Sequence, residues 1–154
     1  MRIAIASDHA AFGLKTALLP WLHGLGHDVA DLGTHGPESV DYPDFGHAIG
    51  TAIATGAADY GIALCGSGIG ISIAANRIAG CRCARVDDPL SAALARQHND
   101  ANVIALGARL IGEEMARACI GAFLAADFEG GRHVARVAKL DAQFNAQPRA
   151  GEGA

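Results

Sequence analysis

Short apolar runs alternate with stretches of helical periodicity along nearly the whole chain, the pattern expected of successive βα units. The runs Arg2 to Ser7, Asp28 to Gly33, Tyr60 to Cys65, Arg82 to Val86 and Asn102 to Gly107 read as strands. Each is followed by a stretch with helical spacing, near Phe12 to Leu25, Tyr42 to Thr55, Gly70 to Ile78, Pro89 to Gln97 and Glu113 to Ala125. A sixth helix is expected over Gly131 to Gln143. The compact solution is a mostly parallel sheet covered on both faces. The predicted fold is therefore a three-layer α/β/α, Rossmann-like domain with a five-stranded parallel sheet and a C-terminal helix. Pro20 is expected to bend the first helix or start a fresh turn, and Pro43 suits a first helical position. Residues 1–146 are expected to form one domain, and the apolar-poor stretch 147–154 to be disordered.

The chain has 154 residues, which suits one domain with a real core. Hydrophobic residues make up 51% and aromatics only 5%, so that core should be Ala, Ile, Leu and Val packed around many of the 20 glycines. A formal net charge of -4 offers no general basic field for nucleic acid or an acidic membrane, so an anionic ligand must meet a local cluster. No apolar run is long enough to span a bilayer, and the start of the chain reads as a strand ending in charge, not as a signal peptide. A cytoplasmic protein is expected. The 4 cysteines form no CxxC pair. Cys81, Cys83 and Cys119 read as small core residues.

The fourth cysteine, Cys65, stands where the third strand meets CGSGIG. Ligands of open α/β sheets bind beyond such carboxyl ends. Gly66, Gly68 and Gly70 let backbone N–H groups approach a ligand closely, and a following helix adds its positive end. Such a field lowers a thiol's pKa from about 8.5, which would give Cys65 a useful thiolate fraction near neutral pH. The plainer reading is a tight strand-to-helix turn with an incidental cysteine. Cysteine-phosphatase and Walker patterns fail, since Ile71 stands where the first needs Arg and no Gly-Lys-Ser/Thr triplet occurs; the dinucleotide fingerprint is a partial, weak match, with Ile71 in place of its third Gly although Asp87 lies about 20 residues on.

Asp8 and His9 follow the first strand, and His98 and Asn99 follow the fourth helical stretch, so all four could converge on one rim and relay protons. Taken singly, Asp8 is as readily an N-cap and His98 a hydrogen-bonded surface residue. Arg132 and Arg136 share a helix face and could grip a phosphate, or form a solvated basic face. Arg109 is a third candidate. His23 and His27 are a poor metal pair because Gly24 and Gly26 disfavour a stable helix between them. No metal and no cofactor are expected.

The segments SDHAAFGLK, DLGT with DYPDF, GIALCGSGIGISIAANR, ARQHNDANVIALGAR and EGGRHVARV, in this order, resemble the type B ribose-5-phosphate isomerases. The likeness spans about residues 2 to 144, and that family includes galactose- and allose-6-phosphate isomerases. It implies metal-free aldose–ketose interconversion through an enediolate. By position, Cys65 matches the base of one branch; the other branch has Glu where this chain has Ile71. Gly66, Ser67, Gly68, Ile69 and Gly70 match the anion hole, with Ser67 bonding the reacting oxygens. His98 matches the acid that opens the ring, Asp8 lies near the ring oxygen, and Asn99 holds the intermediate. His9, Arg109, Arg132 and Arg136 match phosphate ligands, and Tyr42 a residue near the sugar. The resemblance implies a homodimer, or a dimer of dimers, whose sites are shared, with the His98–Asn99 segment and Arg109 coming from the neighbour.

The expected activity is interconversion of ribose 5-phosphate and ribulose 5-phosphate with a cysteine base. A six-carbon phosphosugar is the nearest substitute, and a non-catalytic phosphosugar-binding module the alternative of another class. Arg85 departs from the family pattern; it is expected either to pair with Asp87 or Asp88 or to reach the pocket.

Overall fold

The computed structural model describes residues 1–145. The predicted tail therefore lies outside the described residues. Five parallel strands form one sheet in the order β2-β1-β3-β5-β4: β1 is Arg2–Ser7, β2 Asp28–Asp31, β3 Tyr60–Cys65, β4 Cys83–Arg85 and β5 Val103–Gly107. The helices are α1 (Phe12–Gly24), α2 (Tyr42–Ala54), α3 (Ile69–Ala75), α4 (Pro89–Asn99), α5 (Glu113–Ala125) and α6 (Arg132–Asn145). The predicted three-layer fold is observed.

Alternation along the central strands makes two different cores. One face presents Ile3, Ile5, Ile62, Leu64, Ile104 and Leu106 to helices α1, α4 and α5, which return Leu18, Leu22, Ala95, Ile120 and Phe123. The other face presents Ala4, Ala6, Ala63 and Ala105 to α2 and α3. Small residues let those two helices approach closely: a methyl added to Gly46 would sit 2.6 Å from the Ala74 Cβ, and one on Gly50 2.7 Å from Ile78. Close packing in this layer therefore depends on residues without side-chain bulk.

Differences from the expected boundaries have local causes. β2 stops at Asp31, because the Asp31 carboxylate accepts from the Gly33 N–H at 2.9 Å and Gly33 turns the chain at φ 101°. α3 ends at Ala75, where the Asn76 side chain exchanges two 2.8 Å hydrogen bonds with the Cys83 backbone. α1 continues through Pro20 without interruption. α4 runs on to Asn99 and is closed by Asp100 in the left-handed region at φ 46°. Cys81 and Cys119 are buried as expected, while Cys83 is only partly so.

The strand order reverses direction between β1 and β3, creating the crevice where open α/β sheets bind ligands. Ser7 pairs with Leu64 and Cys65 with Gly107, so the carboxyl ends of β1, β3 and β5 finish level around that crevice.

Candidate active site

A cleft of about 350 Å³ opens at this rim, lined by Asp8, His9, Tyr42, Cys65, Ser67 and Arg109 among others. They come from the ends of four elements: Asp8 and His9 after β1, Tyr42 at the start of α2, Cys65 and Ser67 at the end of β3, and Arg109 after β5. Asp8 leaves β1 and caps a short 3-10 turn, accepting from the Ala11 N–H at 3.2 Å. The capping role expected of it is thus real, and its carboxylate still borders the cleft. His9 accepts the Val40 N–H at Nδ1, 3.2 Å away. A backbone N–H only donates, so the ring proton sits on Nε2, free to meet an anion.

Cys65 ends β3 and is 4% exposed, with its sulfur at the cleft. The Gly68 N–H donates to Sγ at 3.1 Å. Gly68 must be glycine twice over: its φ is 75°, and a Cβ would meet the Leu106 carbonyl carbon at 3.0 Å. The loop thus lies tightly on β5, and the Ile69 N–H is turned onto the Ser67 hydroxyl at 3.2 Å. Gly70 is bare because Tyr42 covers it; an added methyl would lie 2.5 Å from the ring. The Arg109 guanidinium lies over Gly66 in the same way, 3.2 Å from where a Cβ would be. With only seven residues, α3 supplies little dipole. Ile71, 0% exposed, belongs to the core beneath.

Burial pushes the Cys119 thiol up to about 11, Cys81 up to about 12 and Cys83 well above the ordinary thiol range. Those three are poor nucleophiles or bases at neutral pH.

The other expected residues are elsewhere. A helix that follows a strand in a parallel unit runs back towards the opposite end of the strands, so the last turn of α4 carries His98 and Asn99 away from the rim. Convergence of Asp8, His9, His98 and Asn99 on one rim within a single chain does not occur. The expectation that Arg109 comes from a neighbour is also corrected, since Arg109 borders its own chain's cleft.

At that far end His98 stacks on His133, with ring centroids 4.5 Å apart and planes within 5°. Glu129 lies 3.8 Å from His98 and 4.0 Å from His133, and Arg132 Nε is 3.4 Å from His133 Nε2. Burial, reinforced by His98, Arg132 and Arg136, lowers the His133 pKa, against the pull of Glu129. Glu129 and His133 were not anticipated as site residues. Their i, i+4 spacing was the available clue, obscured by the Gly130–Gly131 pair between them.

His98, Glu129 and His133 offer three donor atoms within 4.8 Å of one another. They do not fit a divalent cation: ring lone pairs lie in the ring planes, and two parallel stacked planes share no point at which a metal could meet both. Arg132 adds positive charge at the same spot.

Asn99 borders a separate recess of about 390 Å³ beside β4, walled also by Asn76, Arg82 and Asp141. Although larger than the rim cleft, it offers little to a ligand. Arg82 is already bound to Asp100 at 2.7 Å and Asp141 at 3.2 Å, and the Asn76 amide is committed to Cys83. Arg85 does not line either cavity: it pairs with Asp87 and donates from Nε to the Ser67 carbonyl at 3.1 Å.

The family described as Ribose/Galactose Isomerase matches residues 3–140. The chain belongs to that family. Within it, the chain is 45% identical over 141 residues to ribose-5-phosphate isomerase B of Escherichia coli, covering 92% of this chain and 95% of that one. It is 44% identical to D-erythrulose-4-phosphate isomerase of Pectobacterium atrosepticum, covering 91% and 93%. Family members of known structure superpose closely. Ribose-5-phosphate isomerase B of Clostridium thermocellum gives a TM-score of 0.93 at 46% identity, covering 94% of this chain and 98% of that one. The corresponding protein of Thermotoga maritima gives 0.90 at 50%, covering 92% and 97%. As a member of the ribose/galactose isomerase family, the chain is a sugar-phosphate isomerase. Among the described residues, no helix is long and apolar enough to cross a membrane.

Proposed function

We propose that this isomerase interconverts ribose 5-phosphate and ribulose 5-phosphate, with Cys65 as the base. The observation that carries this reading is Cys65 in the lining of the rim cleft with Ser67, Asp8 and His9, its sulfur held by the Gly68 N–H. A Cys65 thiolate takes the proton from C2 of the open-chain aldose. The released electron pair forms the C1–C2 double bond, and the former carbonyl oxygen gains negative charge. The loop amides not already bonded to Cys65 and Ser67, with the Ser67 hydroxyl, meet that charge; such donors stabilise a transition state by about 3 kcal/mol each. The thiol then returns the proton to C1, while the C2 hydroxyl proton passes to the O1 oxyanion, leaving a hydroxyl on C1, a carbonyl at C2 and the thiolate restored.

His9 and Arg109 meet the phosphate from the same chain, and Asp8 and Tyr42 meet the sugar. Ring opening and the remaining phosphate contacts fall to the partner's His98, the partner's Asn99, the partner's Arg132 and the partner's Arg136. The reason is geometric: in one chain these residues stand at the opposite end of the strands from Cys65, so only a second copy brings them to the cleft. Exposed apolar side chains at both places suit such a contact, with Tyr42, Ile69 and Leu110 by the rim and Val134 and Leu140 on α6. Remote phosphate binding holds the open chain in position without touching the reacting carbons.

Near-equal identity to a four-carbon and a five-carbon isomerase supports a second reading, in which a shorter phosphosugar is the preferred substrate. A panel of four-, five- and six-carbon aldose phosphates, assayed for ketose formation without added metal, separates the two. Highest kcat/KM for ribose 5-phosphate is expected. A tenfold preference for a four- or six-carbon sugar would displace it, and binding without turnover of any would leave only a binding module.

A further inference from the structure

One peptide unit of the cleft is gripped at both poles. The Ser67 carbonyl accepts from Arg85 Nε at 3.1 Å, and the N–H of the same peptide, on Gly68, donates to Cys65 Sγ at 3.1 Å. The C=O and N–H of a trans peptide point in opposite directions, and resonance couples them. A cation on the oxygen therefore makes the N–H a stronger donor. Asp87 fixes the far arm of the guanidinium, leaving Nε aimed at the loop.

Arg85 stands behind the loop, outside the cleft lining. The groups that border the cleft with the sulfur are different: Asp8 and His9 from the β1 end, Tyr42 from α2 and Arg109 after β5. Asp8 opposes an anion there, and the positive charge of Arg109 is the one that a phosphate neutralises on binding. Arg85 reaches the sulfur from behind, through the Ser67–Gly68 peptide.

We propose that Arg85 is a positioning residue for Cys65, locking and polarising the Ser67–Gly68 peptide so that its N–H holds the sulfur as an anion. The kinetic part of this inference rests on Cys65 being the base; the effect on the sulfur does not.

The test is a titration of the free enzyme, following thiolate absorbance and the rate of iodoacetamide alkylation against pH, in the unaltered protein, Arg85→Met and Arg85→Lys. Cys65→Ala serves as the blank, and the high pKa values of the other three thiols keep them out of the neutral range. In Arg85→Met the Cys65 midpoint should rise by roughly one pH unit, leaving about tenfold less thiolate below it. Arg85→Lys, which keeps a cationic donor, should recover most of that shift; if Arg85→Met fails to fold, Arg85→Gln takes its place, and its midpoint must lie above that of Arg85→Lys. The acid limb of kcat should move with the midpoint. An unchanged midpoint in Arg85→Met, or an equal rise in both variants, overturns the inference. A moved midpoint with an unmoved acid limb supports Arg85's effect on the sulfur and refutes Cys65 as the base.

Discussion

Cys65 is set apart from the other thiols by one bond and one surface: the Gly68 N–H on its sulfur, and the cleft it borders. On the proposed mechanism, Cys65→Ala removes the proton acceptor but no phosphate contact. Turnover should fall by at least about a thousandfold while phosphosugar affinity stays within a few-fold, measured by assay and calorimetry. Residual activity within tenfold would mean another base. Gly70→Ala probes the shape of the cleft. Its methyl must push the Tyr42 ring aside from a 2.5 Å contact, and Tyr42 is 43% exposed, so the ring can swing outward. KM should rise several-fold with a stability loss under about 1 kcal/mol; a larger loss with unchanged KM would show that the ring belongs to the fold, not the site. Much of this scale was legible, because CGSGIG at a strand end already implies bare backbone beside a thiol. The Arg85 contact was legible only in part: its pairing with Asp87 follows from proximity in sequence, but its reach to Ser67 depends on β4 and the loop after β3 lying side by side.

Two elements have their ends held by polar contacts that invite measurement. Lys15 on α1 is 1% exposed and bonded to Asp31 at the end of β2, whose carboxylate also holds the turn at Gly33. Lys15→Met leaves that carboxylate facing a buried apolar chain, so a loss of about 3 kcal/mol in denaturant unfolding is expected. A neutral outcome would show that water reaches Asp31 freely. At the start of α6, burial depresses the His133 pKa below its unfolded value near 6.5. Below 6.5 the unfolded chain then binds the proton more readily than the folded one, so stability falls as pH drops through 6.5 and levels off below the folded pKa. His133→Gln should lose less thermal stability between pH 8 and 5 than the unaltered protein; an equal loss would refute the sign. Strand positions were readable from alternation, and boundary shifts came where a side chain outcompeted the pattern, as Asn76 does at the end of α3. The His98–His133 stack was not readable, since it depends on the chain returning over α4, where the Glu129 N–H meets the Gln97 carbonyl at 3.0 Å.

At the scale of the whole molecule, His98 and Asn99, which could have shared one rim with Asp8 and His9, do not do so within a single chain, because spacing along a sequence does not say which way a helix travels. The same fact makes the shared-site reading testable. Mixing inactive Cys65→Ala chains with inactive His98→Ala chains should restore part of the activity, through hybrids in which one cleft keeps both groups. Absence of recovery, with subunit exchange confirmed by mass, would place the whole reaction within one chain.

Because the sulfur-bearing cleft and the histidine stack stand at opposite ends of the strands, the shared-site proposal requires that two copies related by a twofold axis finish two reaction centres at once, and that a solitary copy finish none. Specific activity should then decline on dilution below the dissociation constant, in step with the fraction of chains still paired.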